Sequence, residues 1–162
     1  MCIRDRYEPP SLSEFTERIS NISSKYPYLV YERNGKLLGF AYGSSYQERI
    51  AYLYDADLSI YLAPDAQNSG IGKKLYSCLL DLLQKQGFYN VYACITANNQ
   101  RSIDFHAAFG FRNLGPHPKA GYKFGQWLDI IWMDKQLQQP DGSPQPLKPI
   151  DGFNNNDILK LF

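Results

Sequence analysis

The chain lacks the features that mark several large classes of protein. Its 17 basic and 16 acidic side chains leave a net charge of +1, which gives no field for a polyanion such as nucleic acid. No apolar run approaches the roughly 18 residues of a membrane-spanning helix, and no signal peptide opens the chain. We therefore expect a cytoplasmic protein without a nucleic-acid or membrane partner.

Cysteine is also scarce. The three cysteines, Cys2, Cys78 and Cys94, do not have the spacing of metal ligands, so no metal site is expected. Cys78 falls on the apolar face of a predicted helix and Cys94 in a predicted strand, where buried, inert thiols are a simpler interpretation than a redox role. Aromatic residues are frequent instead: 13 tyrosines and 9 phenylalanines favour strands and aromatic-lined clefts over a helical bundle.

Hydrophobic periodicity predicts an α+β fold. The predicted elements are a helix over 11–25, strands over 28–33 and 36–42, a long strand over 50–62, a helix over 71–86, a strand over 91–96, a short helix over 102–109, a strand from 111 and a closing strand over 127–137. Ser11 and Glu14 have capping-box spacing, Asn34-Gly35 is a strong hairpin signal, and Gly87 is placed to end the second helix.

The composition changes after Leu137. Residues 138–149 contain four prolines together with Gly142 and Ser143, which is typical of a linker. Three asparagines then precede a short apolar end over 158–162. We therefore predict one domain over 7–137 and a Pro/Asn-rich tail over 138–162.

A glycine-containing loop, Gln-Asn-Ser-Gly-Ile-Gly over 67–72, lies between the long strand and the second helix. Gly70 and Gly72 allow a tight turn and close approach to a ligand, and the helix that follows directs its free N–H groups toward the loop. This arrangement predicts a phosphate or pyrophosphate site. A Walker A loop does not fit because position 67 is Gln and Lys74 stands where Ser or Thr is needed. A dinucleotide fingerprint fails because position 75 is leucine.

From Tyr26 to Leu137 the chain resembles the phosphinothricin N-acetyltransferase branch of the GNAT superfamily. The matching segments are 26–30, 60–64, the loop over 67–72, 99–102, 106–111 and 121–129. The last, Gly-x-Lys-x-Gly-x-Trp-x-Asp, is particular to this branch. The resemblance implies a GNAT fold: a mixed twisted sheet flanked by helices, with a splayed central strand pair between 57–62 and 91–96.

The resemblance further implies acetyl-CoA as cofactor, with its pantetheine arm between the splayed strands. Backbone N–H groups near the strand end would polarise the thioester carbonyl. The implied cofactor-binding residues are Ile60, Tyr61, Leu62, Gln67, Asn68, Ser69, Gly70, Ile71, Gly72, Lys73, Asn99 and Ser102. Asn68 replaces an arginine that is common at that loop position, so one positive charge toward the phosphates is missing. Either Lys73 or Lys74 supplies that charge instead, or both lysines are solvated charges on the helix surface. Asn99 and Ser102 would serve equally as residues that start a helix.

Two residues are implied as catalytic. Asp57 stands where the branch has a proposed general-base glutamate, although aspartate is shorter by about 1.5 Å. The alternative is that Asp55 and Asp57 are solvated carboxylates on the polar face of a strand. His106 stands where many members have a tyrosine that protonates the leaving thiolate, and an imidazole suits proton exchange at neutral pH. The alternative is a packed or capping histidine.

The implied reaction is acetyl transfer from acetyl-CoA to the α-amine of a small amino-acid-like acceptor by direct attack. Phosphinothricin, methionine sulfoximine or sulfone, and ordinary amino acids are the candidate acceptors. The candidate acceptor-binding residues are Tyr54, Lys123 and Trp127. The alternative for Tyr54 is a half-buried strand tyrosine, and the alternative for Trp127 and Lys123 is a core tryptophan with surface charges beside it. A homodimer is expected from the resemblance alone. The alternative function is a non-catalytic or impaired acyl-CoA-binding GNAT module, while acetylation of a protein N-terminus is disfavoured.

The opening of the chain departs from the branch. Members begin with a strand and helices that form one wall of the acceptor site, and residues 1–6 resemble nothing in the family. The fold is therefore expected to lack the family's first strand and helix. The strand over 28–33 would then be an exposed edge.

Overall fold

The computed structural model describes residues 8–153, whose strands form one mixed sheet. The elements are α1 (Leu12–Ser23), β1 (Tyr28–Arg33), β2 (Lys36–Ser45), β3 (Asp55–Leu62), α2 (Ile71–Gln86), β4 (Asn90–Thr96), α3 (Gln100–Ala108), β5 (Arg112–Lys123) and β6 (Gln126–Gln136). The strand order is β1-β2-β3-β4-β6-β5, in which β3 and β4 are parallel and the other neighbouring pairs are antiparallel. The α+β architecture agrees with the sequence prediction.

Helix α2 supplies one side of the hydrophobic core. Its leucines recur at positions 75, 79, 82 and 83, which places them on one face, and all four are buried as predicted. They pack against the side chains of β2, β3 and β4 that alternate toward the same face, among them Ala41, Leu58 and Val91. Gly87 ends the helix in the left-handed region at φ 107°, also as predicted.

The two hairpins are closed by turns that need positive φ. Asn34 and Gly35 have φ values of 54° and 74°, and Phe124 and Gly125 have 52° and 74°. Such pairs match the twist of antiparallel strands, so the Asn-Gly signal correctly predicted the first hairpin. Within the described sheet, β1 lies at the edge, as expected.

The prediction of one long strand over 50–62 is wrong in its first part. Residues Ile50–Tyr52 form a 3-10 turn, and β3 begins only at Asp55. The reason is the lack of neighbours: β2 pairs with β3 only as far as Ser45 opposite Ala56, and β4 begins opposite Asp55. A segment without a partner strand has no ladder in which to stay extended.

Helix α1 has the predicted capping box, since Ser11 and Glu14 each bond to the other's backbone N–H. Its apolar face is not sealed, however, because no residue of α1 is buried and Leu12 is 82% exposed. The helix lies against β1 and β2, where Arg18 donates to the hydroxyl of Tyr42 at 3.0 Å.

The segment with linker composition lies against the C-terminal end of α2. The amide of Lys148 donates to the carbonyl of Gln86 at 2.8 Å, and the Gln86 side chain donates to the carbonyls of Lys25 and Lys148. Leu147 packs on the core. A domain boundary at 137 stays a prediction, and the predicted apolar end over 158–162 lies outside the described residues.

Candidate functional site

The central parallel strand pair opens shortly after it forms. Strands β3 and β4 pair at three positions, and the last of these joins Asp57 to Tyr92. Beyond it the strands diverge, while β3 stays paired with β2 and β4 stays paired with β6. The splay predicted between 57–62 and 91–96 is therefore present.

A cavity of about 350 Å³ occupies the opening. Its walls come from four elements: the diverging halves of β3 and β4, the glycine loop, and α3. The lining residues are Leu58, Ser59, Ile60, Tyr61, Leu62, Gln67, Ala93, Cys94, Ile95, Thr96, Asn99, Arg101, Ser102, Phe105 and His106. Six predicted cofactor-binding residues are thus brought to one cavity: Ile60, Tyr61, Leu62, Gln67, Asn99 and Ser102.

The glycine loop has the backbone expected of an anion site. Asn68 and Gly70 adopt positive φ values of 60° and 83°, and Gly70 is the N-cap of α2 without a side-chain cap of its own. The first N–H groups of a helix have no carbonyl acceptor within it, so the first turn of α2, from Ile71 to Lys73, presents them at the loop. Asn68, Ser69, Gly70, Ile71, Gly72 and Lys73 do not line the cavity but continue from Gln67 at its mouth.

Arg101, which the sequence analysis did not single out, joins α3 to this loop. Its guanidinium donates to the side-chain oxygen of Gln67 and, at 3.0 Å, to that of Asn68. The sequence separation of 33 or more residues hides this contact from pattern analysis. The one available signal was its position inside the Asn-Gln-Arg-Ser segment.

The start of α3 combines capping with cavity lining. The Asn99 side chain accepts from the amide of Ser102 at 3.2 Å, so the helix-start interpretation of Asn99 is confirmed alongside its place in the cavity wall. His106 follows one turn later and is only 3% exposed. The rings of Tyr76, Phe105 and Phe111 lie around it with centroids 5.1–5.5 Å away.

The His106 ring has a defined tautomer. Its Nδ1 lies 2.7 Å from the carbonyl oxygen of Ser102, and because a carbonyl can only accept, Nδ1 carries the hydrogen. In the neutral ring Nε2 is then the acceptor. His106 can therefore exchange a proton with a ligand only through Nε2.

Asp57 stands at the head of the splay. The neighbouring residues Ala56 and Leu58 are buried against α2, so the Asp57 side chain points to the opposite face of the sheet from α2 and α3. It is half-buried and adjoins the cavity wall through Leu58. Asp55, on the same face, accepts from the Asn90 side chain at 3.0 Å and is therefore not simply a solvated carboxylate.

Aromatic side chains surround this end of the opening. Tyr92 stacks on Tyr46 with centroids 3.9 Å apart, and Trp132 meets Tyr46 edge-on at 5.8 Å. Burial, with smaller contributions from Asp55 and other neighbours, raises the pKa of Tyr92 to about 12. The phenol therefore stays protonated well into the alkaline range.

The three predicted acceptor-binding residues do not line the cavity. Tyr54 is half-buried with its ring edge-on to Tyr89, and Trp127 is 63% exposed beside Tyr122. Lys123 is only 7% exposed. The alternative of a core tryptophan with surface charges is therefore wrong for Trp127 and Lys123, and the role of all three in acceptor binding stays a prediction.

The thiols differ from each other. Cys78 is fully buried, and burial raises its pKa to about 11, so the inert interpretation holds for it. Cys94 is half-buried and faces the cavity. Among residues 8–153 there is no group of three or more potential metal-ligating side chains, and no helix is long and apolar enough to cross a membrane. Cys2 lies outside the described residues.

A splayed parallel strand pair, with a glycine loop and a helix N-terminus at the mouth of its cavity, defines a class of protein suited to bind a phosphate-bearing ligand between two strands. Comparison with known families agrees: the model of the acetyltransferase (GNAT) domain matches residues 2–132. The chain belongs to the GNAT acetyltransferase family and is an acetyl-CoA-dependent acyltransferase. The match extends to residue 2, which corrects the expectation that residues 1–6 resemble nothing in the family.

The chain is also similar to individual acetyltransferases and to a solved structure of one. Phosphinothricin N-acetyltransferase of Streptomyces viridochromogenes is 32% identical over 145 residues, covering 90% of this chain and 79% of the relative. L-methionine sulfoximine/L-methionine sulfone acetyltransferase of Salmonella typhimurium is 36% identical over 114 residues, which cover 70% of this chain and 67% of the relative. The crystal structure of a phosphinothricin acetyltransferase from Sinorhizobium meliloti in complex with acetyl-CoA superposes with a TM-score of 0.79 at 36% identity, covering 90% and 83%.

Proposed function

We propose that this protein transfers the acetyl group of acetyl-CoA to the α-amine of a small amino-acid-like acceptor. The opening between β3 and β4 carries the proposal. At one end of the opening lies the glycine loop, which is suited to bind a phosphate. At the other end lies Leu58, next to Asp57, whose carboxylate is suited to accept a proton from an amine. The names of the similar enzymes favour an acceptor of the phosphinothricin or methionine sulfoximine/sulfone type.

The residues around the opening fit the cofactor. We assign the phosphates to the loop over 67–72 and to Lys73, because positive φ at Asn68 and Gly70 turns the backbone so that α2 meets the loop with its N-terminus. The pantetheine arm is assigned to the edge of β3 over 60–62, and Asn99 and Ser102 close the opposite wall.

Acetyl-CoA supplies the acetyl group as a thioester, which is open to attack by a neutral amine. Asp57 accepts the amine proton, directly or through one water, as the new C–N bond forms. His106, once protonated at both ring nitrogens, gives the Nε2 proton to the sulfur as the C–S bond breaks and returns to the neutral Nδ1–H form, whose bond to Ser102 holds the ring in place. The two groups serve the two proton transfers from opposite faces of the sheet.

Direct attack needs no acyl-enzyme. Cys78 is unsuited to one because it is buried on α2 and its pKa is raised to about 11. Cys94 lines the cavity and is the thiol to test. We expect a Cys94→Ala variant to keep at least about a third of wild-type kcat, and loss of all turnover in a folded variant would contradict direct attack.

The alternative is a non-catalytic or impaired acyl-CoA-binding module. It is favoured by one observation: the carboxylate at position 57 is an aspartate that is half-buried and lies just outside the cavity lining. In that case the cofactor would bind, and substitution of Asp57 would have no effect on any turnover that remains.

The deciding experiment has two stages. Calorimetry first measures acetyl-CoA binding, with adenosine as the control that lacks the pyrophosphate, and absence of binding would overturn the cofactor assignment. Release of free CoA thiol is then followed with phosphinothricin, methionine sulfoximine and methionine sulfone. An Asp57→Asn variant is expected to bind acetyl-CoA normally and to lose about 100-fold or more in kcat, as for removal of a general base. Unchanged kcat would support the alternative.

We also propose a homodimer. Its support is a cluster of exposed aromatic side chains at the turn between β5 and β6, namely Tyr122, Phe124 and Trp127. Sedimentation equilibrium of wild type and of a Phe124→Ser, Trp127→Ser variant tests it. A wild-type mass equal to that of the monomer would contradict the proposal. The cytoplasmic location stays a prediction.

A further inference from the structure

Arg101 is a cation placed at the glycine loop by a different element of the fold. It is the second residue of α3, it lines the cavity, and it is exposed. Both of its contacts to the loop are to neutral side-chain amides, those of Gln67 and Asn68. A guanidinium has five N–H donors, so most of its donor capacity is not used by these two bonds.

Arg101 forms no ion pair with a described carboxylate. The six residues of the loop, 67–72, carry no charge. Of the acidic groups near the loop and α3, Asp65 pairs with Lys36, and Asp104 keeps its charge but is bonded to the Gln100 side chain rather than to Arg101. A guanidinium that is held by two neutral amides and has no anionic partner is suited to bind an anionic ligand.

We propose that Arg101 binds the diphosphate of acetyl-CoA and supplies from α3 the positive charge that the loop lacks. This inference rests on the proposed function. The planar guanidinium can bond two phosphate oxygens at once, which the ammonium group of Lys73 or Lys74 cannot do in the same geometry. The bonds to Gln67 and Asn68 pre-position the guanidinium at the mouth of the cavity, so little side-chain entropy is lost on binding.

The first test measures the Kd of acetyl-CoA by calorimetry for wild type and for Arg101→Gln. We expect the variant to bind about tenfold more weakly, which is about 1.4 kcal/mol. Its Kd should also depend less on salt, because one screened charge interaction is gone. Arg101→Lys should recover part of the loss, since it keeps the charge but not the fork.

A matched control removes the same charge at the other end of α2. Lys85 lies exposed in the last turn of that helix, away from the loop, and Lys85→Gln should leave the Kd unchanged. A rescue variant, Asn68→Arg with Arg101→Gln, returns the cation to the loop and should restore the Kd to within about threefold of wild type. Thermal melts confirm that every variant is folded.

Acetylated 3′-dephospho-CoA identifies the phosphate that Arg101 contacts. The loss caused by Arg101→Gln should be the same with this analogue if the diphosphate is the partner. Disappearance of the loss would assign Arg101 to the 3′-phosphate and overturn the inference. An equal Kd for wild type and Arg101→Gln would also overturn it while leaving the proposed function standing. Failure of the wild type to bind acetyl-CoA would instead overturn the proposed function.

Discussion

Gly39 lies where β2 supports the splayed end of β3, opposite Leu62. A Cβ at this position would lie 2.8 Å from the carbonyl oxygen of Tyr61 and 2.5 Å from Cδ2 of Leu62. The Leu62 methyl can move aside, but the Tyr61 carbonyl is backbone and cannot do so unless the strand shifts. Because Tyr61 and Leu62 both line the cavity, a Gly39→Ala substitution disturbs the cavity wall as well as the packing.

The expected cost can be estimated from the close contacts. Forcing one methyl into a well-packed site costs about 1–3 kcal/mol, and at this chain length that lowers the Tm by about 3–10 °C. The φ of Gly39 is not positive, so backbone strain adds nothing and the loss is one of space alone. A shift of the β3 edge by a few tenths of an ångström should also weaken acetyl-CoA binding about two- to tenfold, a range that corresponds to about 0.4–1.4 kcal/mol.

Two other glycines calibrate the measurement. A Cβ at Gly43 would lie 3.2 Å from the flexible end of Leu83 and 3.5 Å from the Tyr26 ring, and a Cβ at Gly152 would meet nothing within 4 Å. Differential scanning calorimetry and acetyl-CoA titration of the three alanine variants should rank the losses as Gly39, then Gly43, then Gly152. A Gly39→Ala protein that melts within 1 °C of wild type and binds acetyl-CoA equally would refute the packing argument.

Three further predictions follow from other parts of the structure. Burial raises the pKa of Cys78 from 9.0 to about 11, so its thiol stays protonated in the fold while it ionises in the unfolded chain. Stability is therefore lost as pH rises from 9 to 11, by about 2–3 kcal/mol at most, and urea melts of Cys78→Ala should show a flatter pH dependence in that window. With Cys2 replaced by serine, a thiol reagent should label Cys94 in the native protein, and acetyl-CoA should slow that labelling. Gln86→Leu leaves two backbone carbonyls without their donor and should cost about 1–3 kcal/mol while speeding proteolysis within 138–153.

The elements that the sequence predicted well depend on short-range signals. The Asn34-Gly35 turn, the Ser11 cap and the Gly87 stop are each set by residues within one turn, and α2 shows its helical period over 16 residues. The same holds for the loop at 67–72, because loop, helix start and strand end are contiguous in the chain.

The elements that were missed depend on neighbours. Residues 50–52 are Ile, Ala and Tyr, an apolar run that suits a strand, but within the described sheet no strand pairs with them and they form a 3-10 turn instead. The segment after 137 has the composition of a linker, yet Gln86 is placed to bond its backbone. Arg101 likewise reaches the loop only because α3 and α2 pack side by side, as the contact between Tyr76 and Phe105 shows.

Trp127 and Lys123 show the limit of residue type as a guide to burial. Tryptophan is usually the more buried of the two and lysine the more exposed, but here the order is reversed. The register of the β5–β6 hairpin decides this: Trp127 pairs with Tyr122 and shares its face, and Lys123, the next residue along β5, lies on the opposite face.

The register of β3 is what makes Asp57 available to chemistry. Ala56 and Leu58 on either side of it are almost fully buried, so a slip of one residue would drive the carboxylate into the core and expose the apolar pair. Asp57 is also the last residue of β3 to pair with β4, so the same hydrophobic pattern that fixes its direction places it where the cavity begins. The direction of the proposed base is thus fixed by core packing, and because Leu58 belongs both to the core and to the cavity wall, a Leu58→Ala substitution should reduce turnover and stability together.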